Sequence, residues 1–274
     1  MPEFFASVVR TGVTALHLLA AGVLPPLIAG VILQFVTGRF RICCAEVFGS
    51  RLSVWATAPG VMLHEFSHAL FCLIFRHRIR EFVLFSPQKN GTLGWVSHEW
   101  DRRSLWQNIG CFFIGVAPLV FGVLAILFLT LLLLPPHEAL PFPELPDGGM
   151  AGFRLQFRAT FLGLCGLWVK PEILSDWRFW LWLYAMIAIG SQITLSRADL
   201  AGAKSGVLVL TGVLIAAALV LAVILPRGVS LPVAAVRCSA AICGVLFYLF
   251  LFFGALTLLL MVCRAKMVSR RRRG

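Results

Sequence analysis

Residues 53–75 read SVWATAPGVMLHEFSHALFCLIF, an apolar run whose single charged residue is Glu65. A stretch of this length fits the roughly 20 residues that carry a helix across a bilayer. Five further stretches of the chain have similar character: about 11–37, 104–135, 179–196, 205–226 and 238–263. The composition agrees, with 59% hydrophobic and 13% charged residues. Soluble domains run near ~45–50% apolar and ~25% charged. A soluble two-core enzyme, a disordered chain and a disulfide scaffold are excluded on these grounds. The expected fold is an all-α polytopic membrane protein of about six transmembrane helices, forming one membrane domain over residues 1–274.

Departures from pure helix are local. Pro25-Pro26 predicts a kink in the first span. Asn90-Gly91 separates two β-prone runs, so a small β-hairpin is expected near 81–98, with strands near 82–88 and 92–98. Pro87 suits an edge strand. Residues 150–169 read as an interfacial helix, since their uncharged run, 159–169, is too short to cross.

The chain holds 24 Lys and Arg against 12 Asp and Glu. In so apolar a chain this excess reads as cationic loops on one side of a membrane, with no nucleic-acid partner. The basic tail 264–274 weights the bias toward both termini in the cytoplasm. The lipid bilayer is the expected surrounding. The eight cysteines contain no CxxC pair and read as small apolar side chains.

Every acid except Glu65 and Asp199 falls in an expected loop or tail. An ionisable group at membrane depth is costly and points to function. Glu65 belongs to His64-Glu65-Phe66-Ser67-His68, an HExxH motif. On a helix, residues four apart share one face. Two imidazoles so placed can each bring a nitrogen ~2.0–2.1 Å from one Zn²⁺. The adjacent glutamate then reaches a zinc-bound water, whose pKa falls toward ~7. One zinc per chain is expected.

A catalytic zinc takes three protein ligands. The candidates for the third are Asp199, Cys72, His17 and His98. Cys72 shares the histidine face but lies eight residues from His64, or ~12 Å of rise. His17 reads as a buried histidine of the first span. His98 ends the hairpin and faces solvent or substrate. Asp199 and His68 both lie near the inner ends of their spans, which favours Asp199. If 192–199 is helical, Gln192, Ser196 and Asp199 share a polar face. The other reading of Asp199 is an interfacial carboxylate paired with Arg197 or Lys204.

At these residues the chain resembles the site-2 protease family of intramembrane zinc metalloproteases. The resemblance rests on the HExxH helix, the hairpin region after it and the later Asp. It extends to Ile114-Gly-Val-Ala-Pro-Leu-Val-Phe-Gly122, which is similar to the family's small-residue and proline segment. It covers roughly residues 55–205 and implies His64, His68 and Asp199 as zinc ligands and Glu65 as catalytic base. The chain departs from the family pattern at Gln192, where Asn is usual, and at Gly202, three residues after Asp199 instead of adjacent. It looks like a divergent, minimal member without a PDZ domain.

The expected activity is hydrolysis of a peptide bond in or near a transmembrane segment, with a membrane protein or transmembrane peptide as substrate. His98, Gln192 and Ser196 are candidate substrate contacts. Two other functions fit the residues: a zinc or metal-ion transporter, and a non-catalytic membrane scaffold with a degenerate motif.

Overall fold

A computed structural model describes residues 24–135, 150–195 and 233–271, with Ala6, Val9, Leu140, Pro143, Asp199 and Ala201. The described chain is mostly helical, with a single two-stranded antiparallel sheet. The helices are α1 (Leu24–Phe48), α2 (Ser50–Ala56), α3 (Ala58–Ile74), α4 (Leu105–Leu133), α5 (Met150–Gly166), α6 (Pro171–Ser175), α7 (Trp177–Gly190) and α8 (Val233–Arg271). The strands β1 (Arg78–Val83) and β2 (Trp95–Glu99) lie between α3 and α4.

Three described helices are long and apolar enough to cross a membrane: α1, α4 and the Arg237–Ser269 part of α8. Their outer faces expose Phe35, Phe128, Leu132 and Leu258, each more than half accessible. In water these would form a large unfavourable apolar surface. Expected span 205–226, residues 11–23 of the first span, His17 and Ser196 lie outside the described residues.

Two expected spans are interrupted. Over 53–75 the chain breaks at Thr57 into α2 and α3. Pro59 lacks the N–H that would bond the Trp55 carbonyl one turn earlier, so it opens a new helix more readily than it continues an old one. Over 179–196, α7 stops at Gly190 after 14 residues. Residues 193–195 lie outside any helix. The continuous helical face expected for Gln192 to Asp199 is therefore not formed. The first span also differs: α1 continues past residue 37 to Phe48, carrying Arg39 and Arg41 within the helix. The Arg41 guanidinium finds a partner in the Ser191 carbonyl at the end of α7.

The core lies between α1, α4, α7 and α8. Phe40 meets Phe253 with ring centroids 4.8 Å apart. Trp182 is buried and donates its indole N–H to Thr130 Oγ1 at 2.9 Å, so its one polar atom is satisfied. Helix α5 packs along α8. Phe157 and Phe161 both meet Phe247, and Trp168 donates to the Tyr248 hydroxyl. Its buried face carries Gln156, Thr160 and Leu164.

The hairpin pairs Ile79 with His98 and Val83 with Trp95, with an irregularity between Ile79 and Glu81. Against the expected 82–88 and 92–98, β1 begins four residues earlier and β2 three residues later. Beyond them, Ser86 N–H donates to the Leu93 carbonyl and Gln88 N–H to the Thr92 carbonyl. Gly91 closes the tip at φ +89°, a conformation that glycine adopts without the usual side-chain penalty.

Candidate metal centre

Helix α3 carries His64 and His68 one turn apart, as the motif requires, with Glu65 next to His64. Each histidine is oriented by a backbone carbonyl from another element. His64 donates its Nδ1–H to the Gln192 carbonyl at 3.0 Å. His68 donates its Nδ1–H to the Ile114 carbonyl at 2.8 Å. A carbonyl can only accept, so both rings carry the proton on Nδ1. In the neutral rings each Nε2 carries a lone pair that can take a metal.

Those two Nε2 atoms lie 3.2 Å apart. The His68 Nε2 is also 3.4 Å from Asp199 Oδ1. One donor atom from each of the three residues falls within 4.8 Å of the other two. Two ring nitrogens and a carboxylate held this close are stabilised by a cation, or by a shared proton, lying among them. In a tetrahedral site with bonds of ~2.0–2.1 Å, neighbouring donors stand about 3.3 Å apart. The donor set, spacing and carbonyl-oriented imidazoles therefore fit a zinc ion.

The supporting carbonyls are available for identifiable reasons. Pro118 lies inside α4 and lacks the N–H that would bond the Ile114 carbonyl one turn earlier. Gln192 follows the end of α7, and its carbonyl accepts both the Thr194 N–H at 2.9 Å and the His64 ring. Gly60 brings α3 close to α7 at this point: a Cβ there would stand 2.0 Å from the Ala188 carbonyl oxygen.

A cavity of about 640 Å³ opens on the three residues. Glu65 lines it, as do Gly94, Trp95, Val96 and His98 from the hairpin side and Ile114 and Gly115 from α4. The hairpin backbone presses against the glutamate. A Cβ on Gly94 would meet Glu65 Cγ at 2.7 Å and the Leu84 carbonyl oxygen at 2.7 Å. Glu65 is buried beside the donor cluster and is not one of its members.

The other sequence candidates have separate places. Gln192 offers its carbonyl to His64, while its side chain packs at Gly60, outside the cavity lining. Its buried Nε2 has no hydrogen-bond partner among the described residues. His98 lines the cavity, and its Nδ1 lies 3.1 Å from Nδ1 of His77. Burial, with His77 and then His68 nearby, lowers the His98 pKa to about 4. Cys72 joins this second pair instead of the HExxH residues. His77 was not among the sequence candidates, because nothing in its local pattern marks it.

No protein-family model, curated protein or solved structure matches the chain.

Proposed function

We propose that the chain is a zinc-dependent intramembrane endopeptidase that resembles the site-2 proteases. The observation that carries this reading is the convergence of the His64 and His68 lone pairs with Asp199, beside Glu65, in a cavity walled by a hairpin.

A bound zinc ion would supply Lewis acidity and lower the pKa of a water molecule. The chain's own residues do the rest. His64, His68 and Asp199 hold the ion, and the Gln192 and Ile114 carbonyls fix the two rings. Glu65 takes a proton from the attacking water and returns it to the leaving amine. The hairpin's exposed edge aligns an unwound substrate segment by strand addition, which presents its scissile carbonyl to the cavity.

The membrane arrangement belongs to the same proposal: six spans, both termini in the cytoplasm, and the cavity toward that side. The substrate is a membrane protein or transmembrane peptide. The test compares membrane proteomes of cells carrying the wild-type chain and Glu65→Gln. An uncleaved membrane protein that accumulates only with the variant is expected. Identical proteomes, together with metal uptake that depends on expression, would favour transport instead.

A further inference from the structure

We infer that Cys72, His77 and His98 form a second metal site, taking Zn²⁺ and fastening the hairpin to the end of α3. The inference does not depend on the proteolytic reading. It rests on three donors, from α3, from the turn after it and from β2, brought together by the way α3 ends.

That ending is a Schellman turn. Arg76 adopts φ +58°, an uncommon left-handed conformation for a residue other than glycine. Arg76 N–H donates to the Leu73 carbonyl, and His77 N–H donates to the Cys72 carbonyl at 2.8 Å. This paired pattern folds the residue after the turn back over the last helical turn. Hydrophobic pairs often occupy these two positions. Here they are Cys72 and His77, both buried.

The His77 ring is fixed from outside. Its Nε2–H donates to the Gln107 carbonyl at 2.8 Å, which leaves Nδ1 as a lone pair. That lone pair faces His98 Nδ1 at 3.1 Å. Strand pairing of His98 with Ile79 holds the second ring in place. Cys72 Sγ and one ring nitrogen of each histidine all lie within 4.8 Å of one another.

The surroundings are shaped for this cluster. A Cβ on Gly110 would stand 2.9 Å from His77 Nε2 and 2.5 Å from Phe75 Cβ, so only a glycine lets α4 approach so closely. The Trp100 ring stacks on His77 at 5.8 Å. A thiolate with two neutral imidazoles is a donor set for a borderline or soft cation, not for Mg²⁺ or Ca²⁺. The fourth position of a tetrahedral ion would be filled by water from the adjoining cavity, which His98 lines.

The test uses the full chain purified in detergent, saturated with Zn²⁺ and freed of excess by dialysis. Two equivalents of zinc per chain are expected. His77→Ala and Cys72→Ser should each remove one equivalent, and His64→Ala should remove the other. The Co²⁺-loaded wild type should show a thiolate-to-metal charge-transfer band in the near ultraviolet, a readout that requires no variant to fold. One equivalent lost with His77→Ala but kept in His64→Ala supports the second site and removes the metal from the proposed protease. One equivalent lost only with His64→Ala overturns the second site and leaves the protease standing. A wild type without the cobalt band reduces His77 and His98 to a hydrogen-bonded pair and also overturns the inference.

Discussion

His68 donates its Nδ1–H to the Ile114 carbonyl at 2.8 Å, the acceptor that Pro118 leaves without its helical partner. A proline that weakens α4 thus orients a ring on α3. Pro118→Ala restores a competing N–H. Helix α4 should become more stable, since a helix-interior proline costs about 3 kcal/mol. Zinc affinity should fall by about tenfold or more, the usual effect of losing such a supporting bond. Thermal melts and zinc titration on the same sample should move in opposite directions. Affinity unchanged within twofold would mean that the Ile114 carbonyl serves both donors.

Glu65→Gln should abolish cleavage and leave zinc bound, because the amide keeps the shape but cannot accept the proton. Asp199→Ala should lose both affinity and activity. A chelator should silence the wild type, and added Zn²⁺ should restore it. Metal analysis beside a peptide-cleavage assay separates these outcomes. Full zinc and full activity in Asp199→Ala would reopen the ligand assignment.

Two glycine substitutions should divide the site into its parts. Gly60→Ala places a Cβ 2.0 Å from the Ala188 oxygen, so α3 and α7 must separate and the Gln192 carbonyl leaves His64. A stability loss of about 1–3 kcal/mol is expected, with weaker zinc binding. Gly94→Ala instead strikes Glu65 Cγ and two hairpin carbonyls. It should lower kcat and leave zinc content unchanged. Equal zinc loss in both variants would refute this division.

A reporter fused after Gly274 should be active only on the cytoplasmic side. The same reporter active on the outer side would overturn the proposed orientation.

The apolar character, the pairing of His64 with His68 and the hairpin were legible in the sequence because each is a local property. Hydropathy sums over a window, helical periodicity sets which residues share a face, and Asn90-Gly91 marks a turn by its own backbone preference. Window sums are blind to single backbone events, so they ran through the break at Thr57 and the end of α7 at Gly190. The carbonyl partners were equally hidden. The freedom of the Ile114 carbonyl follows from Pro118, but its use by His68 depends on how α3 packs against α4. Cys72 and His98 stood out as alternative third ligands, and His98 also as a candidate substrate contact. The left-handed turn at Arg76 and the register of β2 place them instead with His77. Residue identity determined which atoms were able to bind a metal. Only the packing of helices and hairpin decided which of those atoms meet, because a donor cluster is set by distances across elements and not by spacing along one.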